Sequence, residues 1–355
     1  MTRDALGAEP AGQQAGRAAG QGAPDQPGDH GRIVRIGHQP PAVRPGPDRN
    51  PAEGDLEGLA EAWLSAGRLR FWAGAPGSSE ALERAAACAR QSGNHHAERE
   101  SRTWRVAVLQ DLPIPADVAV GRAEQLLEAA SGDPWAEAAI LQYLAVLYSY
   151  AGRLADARAA CRRGQSIFTG SGAKLAWAKS VQLAGRIELN AGDPAAAEQN
   201  LREGYETLRA ITEPGYRANE VTLLAEAAYA QGRLGEALRL TEEAEALTGV
   251  DDFDAQARWR ATRAKVLAQR GQFRAAARLA EDAVARVPAT VDAPERAEFL
   301  VAQAEVARLA GAPGQAEDSL RQALQFYENR RMVLLAGRTR ALLASLTEQR
   351  ATLKP

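Results

Sequence analysis

Five glycines, Gly152, Gly192, Gly232, Gly271 and Gly311, recur at intervals of 40, 40, 39 and 40 residues. Each sits in a similar short break: Ala151-Gly152-Arg153-Leu154, Ala191-Gly192-Asp193-Pro194, Gln231-Gly232-Arg233-Leu234, Arg270-Gly271-Gln272-Phe273 and Ala310-Gly311-Ala312-Pro313. A fixed period of this length marks a repeat architecture, in which each unit is too small to bury its own apolar face and must stack on its neighbours. Seven residues before the glycines stand Ala145, Gly185, Ala225, Ala264 and Ala304; five after stand Ala157, Ala197, Ala237, Ala276 and Ala316; twelve after stand Gly164, Gly204, Ala244, Ala283 and Ala323. All fifteen are Ala or Gly. Side chains this small at a fixed helical phase let two antiparallel helices approach closely. A glycine at the break supplies the left-handed backbone that ends the first helix.

The segments between breaks are 15 to 20 residues long and carry apolar residues at 3.6-residue spacing, as in Leu141, Leu144 and Tyr148 or Val221, Leu224 and Ala228. An earlier unit fits around Gly74, with Gly67, Ser79 and Ala86 at the three small-residue offsets. Between it and Gly152 lies a degenerate unit turning near 111–115, where Pro113 and Pro115 replace the glycine. Beyond the last copy, 331–347 predicts a capping helix through Val333, Leu334, Leu342, Leu343 and Leu346. The expected fold is all-α: an α-solenoid over 54–355, a right-handed superhelix of about seven helix pairs with a C-terminal capping helix. Residues 1–53 hold 8 of the 18 prolines and 9 of the 32 glycines without apolar periodicity, which predicts a disordered low-complexity head.

Composition removes several function classes. With 43 basic and 45 acidic residues the net charge is -2, so no nucleic-acid footprint is expected. No run of 18 apolar residues and no signal-peptide pattern occurs, which predicts a cytoplasmic protein without membrane contact. Cys88 and Cys161 are too far apart for a CxxC motif and read as small packing residues. No lysine follows a glycine, so the phosphate-cradling GK[ST] ending is absent; Gly170-Ser171-Gly172-Ala173-Lys174 only imitates it. His95 and His96 with Glu98 and Glu100 are the one potential metal cluster, and helix capping explains those glutamates better. The reading is of a non-enzyme with no catalytic residues, no metal and no cofactor.

Small residues at these offsets from a turn glycine resemble the tetratricopeptide-repeat signature, with a period of 40 in place of the usual 34. Longer helices of this kind are similar to the MalT-like repeat regions that follow ATPase modules. Three stretches resemble the C-terminal helical part of actinobacterial class III nucleotide cyclase/AAA ATPase signalling proteins: 189–208 (LNAGDPAAAEQNLREGYETL), 258–285 (RWRATRAKVLAQRGQFRAAARLAEDAVA) and 304–346. The resemblance implies a protein-binding scaffold in signalling, with the family's catalytic domains upstream. The alternative it implies is a ligand-sensing regulatory region of a STAND-type ATPase or transcriptional regulator.

In such a stack the first helix of each pair lines the concave side. Offsets of 13, 10, 6 and 2 before the turn glycine then place Lys179, Gln182, Arg186 and Asn190 in the groove, followed by Asn219, Thr222 and Glu226 with Tyr229 beside them, and by Arg258, Lys265 and Gln269. The last unit contributes Glu298 and Glu305, so the sign changes along the groove. Basic and amide donors of this kind can fork onto a carboxylate, which predicts a protein or peptide partner of acidic character. As exposed groove residues, Lys179, Arg186, Arg258 and Lys265 are expected to tolerate charge reversal without loss of melting temperature. The six tryptophans are expected between helices, with Trp259 bordering the groove.

Overall fold

A computed structural model describes residues 55–250, 252–287 and 293–352. The head expected over 1–53 lies outside the described residues. Among the described residues fifteen helices run as seven successive pairs and a last single helix: α1 (Leu56–Trp72) with α2 (Ser78–Ser92), α3 (His95–Val108) with α4 (Ala116–Glu128), α5 (Pro134–Tyr150) with α6 (Leu154–Gly170), α7 (Lys174–Ala191) with α8 (Pro194–Ala210), α9 (Pro214–Ala230) with α10 (Leu234–Leu247), α11 (Phe253–Gln269) with α12 (Phe273–Arg286), α13 (Pro294–Leu309) with α14 (Pro313–Asn329), and α15 (Val333–Thr352). The second pair is the loosest, α3 packing chiefly on α2 and α5. Among the described residues there is no strand, and no helix is long and apolar enough to cross a membrane. The molecule is an α-solenoid.

The local chemistry of each break is the one its residues dictate. The five turn glycines have φ between 75° and 85°, a region L side chains avoid. Asp133 and Asp193 cap the helices that follow them, accepting from the N–H groups of Ala136 and Ala196, with proline in the first helical turn. The degenerate unit turns between α3 and α4 as expected, with Pro115 at the N-cap. The Gly74 unit departs from the pattern. Its loop is longer, α2 starts only at Ser78, and Ala81 and Ala85 replace the partly buried Ser79 in the interface.

All fifteen phased small residues are buried. At Gly185 the packing reaches the limit: a Cβ there would lie 2.5 Å from Leu201 Cγ of the paired helix, closer than carbon atoms pack. Between pairs, a Cβ on Gly204 would meet Glu220 Oε1 at 2.4 Å. The small residues are therefore the contact surface on which hairpins nest.

First and second helices differ sharply in burial. In α5 and α11, 11 of 17 positions are buried, against 5 of 17 in α6 and 4 of 17 in α8. A helix apolar all round is covered on all sides, and the run 138–147 in α5 has that texture. The cover comes from far along the chain. One apolar core joins Val106, Leu144, Leu147 and Tyr150 to Ala297, Leu300, Tyr327, Met332, Leu335 and Ala336. α15 packs on α14 and also on α5 and α7. Arg330, buried, donates from Nη2 to the Gln110 carbonyl at 2.7 Å and from Nε to the Ile114 carbonyl at 2.9 Å, and its own carbonyl accepts from Ala116 N at 2.7 Å. Arg338 donates to the carbonyls of Leu189 and Asn190 at 2.8 and 2.7 Å, capping the end of α7. The array thus closes on itself.

Candidate functional site

The residues singled out from the sequence lie on α7, α9 and α11, and their charged side chains are engaged with other groups of the chain. Arg186 Nη2 donates to Glu295 Oε1 at 2.6 Å and to Tyr150 Oη at 2.7 Å, and lies 3.6 Å from Glu298 Oε1. Arg258 is buried, donating to Glu298 Oε2 at 3.0 Å and to Asp254 Oδ1 at 2.9 Å, with Glu226 4.0 Å away. Lys265 sits 3.9 Å from Glu226 and 4.7 Å from the centre of the Tyr229 ring. The Tyr229 hydroxyl donates to Glu305 at 2.6 Å and accepts from Gln269 at 3.4 Å. Lys179 lies over the Tyr216 ring at 5.0 Å.

Two sequence expectations need correction. The walls expected at successive points of an open groove face each other across it, because the solenoid winds tightly enough to bring α13 to α7. Arg186 and Arg258 are consequently not exposed cations. Reversing their charge would leave like charges packed together away from water, which is strongly destabilising. Trp259 does not border the groove either. It is buried between the Arg260 and Arg263 guanidinium groups, 4.0 and 4.3 Å from its ring.

Crowding shows in the proton affinities. Glu298 is held below the ordinary carboxylate range: burial opposes its charge, and Arg258 and Arg186 outweigh that cost. Burial pushes Glu295 up, helped by Asp254 and Glu298 against the pull of Arg186. Asp111, in the α3–α4 connection, is pushed up to about 8 by burial and by Glu295. Burial raises the Tyr150 hydroxyl as well, so it stays a donor and acceptor at neutral pH. Sequence reasoning missed Asp111, Tyr150, Asp254 and Glu295. The all-round apolar texture of α5 was the available signal that something covers its inner face.

A cavity of about 80 Å³ remains between α7, α9 and α11, lined by Gln182, Arg186, Asn219, Thr222, Asp254 and Arg258. Arg186 Nε and Asn219 Oδ1 are buried without hydrogen-bond partners, as is Nδ2 of Asn190. The Thr222 hydroxyl is satisfied by the Asn219 carbonyl at 2.7 Å. A wider recess of about 430 Å³ lies between the α9–α10 turn and the ends of α11 and α13, lined by Tyr229, Gly232, Leu234, Gln269 and Glu305. Elsewhere, Cys161 is a buried thiol pushed up to about 12, first by burial and then by Glu188, which leaves it protonated. Among the described residues, no three His, Cys, Asp or Glu side chains converge as a metal-binding set.

No family model and no curated protein sequence matches the chain. Solved structures do, at low identity. NprR in complex with its cognate peptide NprX superposes with a TM-score of 0.56 and 13% identity, covering 84% of each chain. A Rap protein complexed with competence and sporulation factor gives 0.55 and 12%, covering 84% of this chain and 87% of that one. A signal transduction ATPase with numerous domains (STAND) carrying a tetratricopeptide repeat sensor, from Pyrococcus horikoshii, gives 0.51 and 12%, covering 84% of this chain and 49% of that one. At this identity the likeness is one of fold. The chain has the fold of tetratricopeptide-type helical solenoids.

Proposed function

We propose that the chain is a non-catalytic interaction module that takes a protein or peptide segment along its inner face. The observation that carries this reading is the cavity between α7, α9 and α11 and the polar atoms buried in it. Its buried, unpartnered Arg186 Nε and Asn219 Oδ1 leave hydrogen-bonding capacity unmet, which is costly unless a ligand or water completes it. The similar fold of NprR, solved with its cognate peptide, supports the class of ligand.

The partner's acidic character rests on Arg186. Its contact with Glu295 is made through Nη2 alone, whereas Arg158 forks onto Glu188 through Nε and Nη2 at 2.8 and 2.6 Å. A guanidinium gripping its carboxylate through one nitrogen holds it less firmly than a forked pair does and can exchange it for another. The cavity lining mixes Leu183 and Leu223 with Gln182, Arg186, Asn219 and Asp254, a combination suited to the backbone and side chains of a peptide segment. A second reading, a sensor region within a cyclase/ATPase or STAND-type signalling system, has the P. horikoshii repeat sensor as its support.

The test is selection of binding segments from a displayed random peptide library, followed by titration against Gln182→Ala and Asn219→Ala. Both residues are only partly buried, so the fold persists. Selected segments are expected to lose about ten-fold in affinity, or 1.4 kcal/mol. Unchanged affinity in both variants removes the inner face from consideration.

A further inference from the structure

The groove holds an ion-pair bridge that no neighbouring packing requires. α7 and α13 belong to hairpins three places apart and do not pack on each other as helices. Only long side chains span the space: Arg186 to Glu295 at 2.6 Å and to Glu298 at 3.6 Å. Both glutamates come from the first two turns of α13, whose N-cap Ala293 provides no side-chain hydrogen bond. That first turn carries Pro294 and Glu295 without a side-chain cap, and it is the carboxylates of Glu295 and Glu298 that join α13 to α7. The other side is firm, since Arg186 is anchored on Tyr150 at 2.7 Å and Arg258 on Asp254 at 2.9 Å.

A glutamate seated on an arginine is also a demonstration of what that arginine accepts. We infer that Glu295 and Glu298 are internal occupants of the ligand site, and that a carboxylate-bearing segment entering the groove takes their place on Arg186 and Arg258, releasing the first turns of α13. This rests on the groove reading above and adds its regulation: capture of the ligand and loosening of α13 are one event. The chemistry favours exchange over simple addition. Asp254, Glu295 and Glu298 already outnumber the two arginines they touch, so a further carboxylate arriving beside them would add an unpaired charge where burial makes it costly. The internal glutamates lower the apparent affinity of any competitor by the fraction of time they occupy the site.

The probe is a capped hexaglutamate peptide, with hexalysine as control. In the unmodified protein, hydrogen exchange is expected to speed up in the N-terminal half of α13 and slow down in α7 when hexaglutamate is added, and hexalysine is expected to do neither. The double variant Glu295→Gln, Glu298→Gln is expected to bind hexaglutamate about ten-fold tighter than the unmodified protein. Gln182→Trp, which fills the cavity, is expected to abolish both effects. Binding that is lost in Gln182→Trp yet slows α13, or is equal in the double variant, overturns the exchange and leaves the groove reading standing. Binding that survives Gln182→Trp lies off the inner face and overturns both. Absence of binding to the unmodified protein and to the double variant overturns the exchange. Should the double variant fold poorly, the hydrogen-exchange arm decides without it.

Discussion

Arg186 and Glu295 lie 109 residues apart in the chain and 2.6 Å apart in space. That pairing converts a row of stacked hairpins into a ring of mutual dependence. In an open array each hairpin answers only to its neighbours, whereas here the fourth pair and the seventh hold charges for one another.

Removing one partner of that pairing is expected to be costly. Arg186→Glu would face Glu295 and Glu298 with a third acid, both partners being largely buried. Breaking a buried pair costs about 3–5 kcal/mol, which corresponds to a fall in melting temperature on the order of 10 °C. Thermal unfolding followed by circular dichroism reads it, and an unchanged melting temperature would show the bridge to be absent in solution.

Asp111 links stability to pH. Its carboxyl is raised from the ordinary 3.8 to about 8, by burial first and Glu295 second. The folded state therefore keeps a proton that the unfolded state gives up, so the stabilisation is full below the lower value and lost as pH climbs to the upper one. Between those limits this one group contributes up to about 1.4 kcal/mol per pH unit. Urea unfolding at several pH values is expected to show stability falling towards pH 8, with a shallower fall in Asp111→Asn. Parallel curves would show that Asp111 is not the group responsible.

Glu220 offers a stabilising change. Its side chain is fully buried against Gly204 with neither oxygen hydrogen-bonded, and burial raises its pKa well above the ordinary range. Replacing a polar group that has no partner by an apolar one of similar shape removes a desolvation cost of about 1–3 kcal/mol. Glu220→Met is expected to unfold at higher urea concentration than the parent, most clearly above neutral pH. A lower midpoint would reveal a partner for the carboxyl.

Ala237 tests the nesting of hairpins. It is completely buried between α9 and α10, and Ala237→Trp overpacks that contact by about 1–3 kcal/mol or more. An open stack damaged at its centre would melt in two steps. Because Arg330 and Arg338 fasten the last helices to the α3–α4 connection and to α7, one transition at lower temperature is expected instead. Two resolved transitions in calorimetry would mean that the closure does not couple the ends.

The hairpins were legible because their cause is local. A glycine at the break and Ala or Gly at fixed phase act within one unit, and Gly152, Ala157 and Gly164 carry the same information wherever the unit sits. The expected inner-face positions, Arg186, Asn219 and Arg258 among them, are read from the same phase. What repeats could not reveal is how tightly successive units wind. That curvature accumulates from small differences at every interface, such as the seating of Glu220 against Gly204, where a Cβ would not fit. Glu295 occupies no phased position, and nothing near it in sequence points to Arg186.

The fastening of Arg330 to the carbonyls of Gln110 and Ile114 has a consequence for how this protein can vary in length. Open solenoids tolerate insertion or loss of whole units, since every joint is alike. Here one unit more or fewer would carry the guanidinium away from its two acceptors and strand three polar groups in a sealed interior. The number of hairpins between the α3–α4 connection and α14 is therefore fixed by the closing contacts, and lineages descending from this chain are expected to change their loops before they change that count.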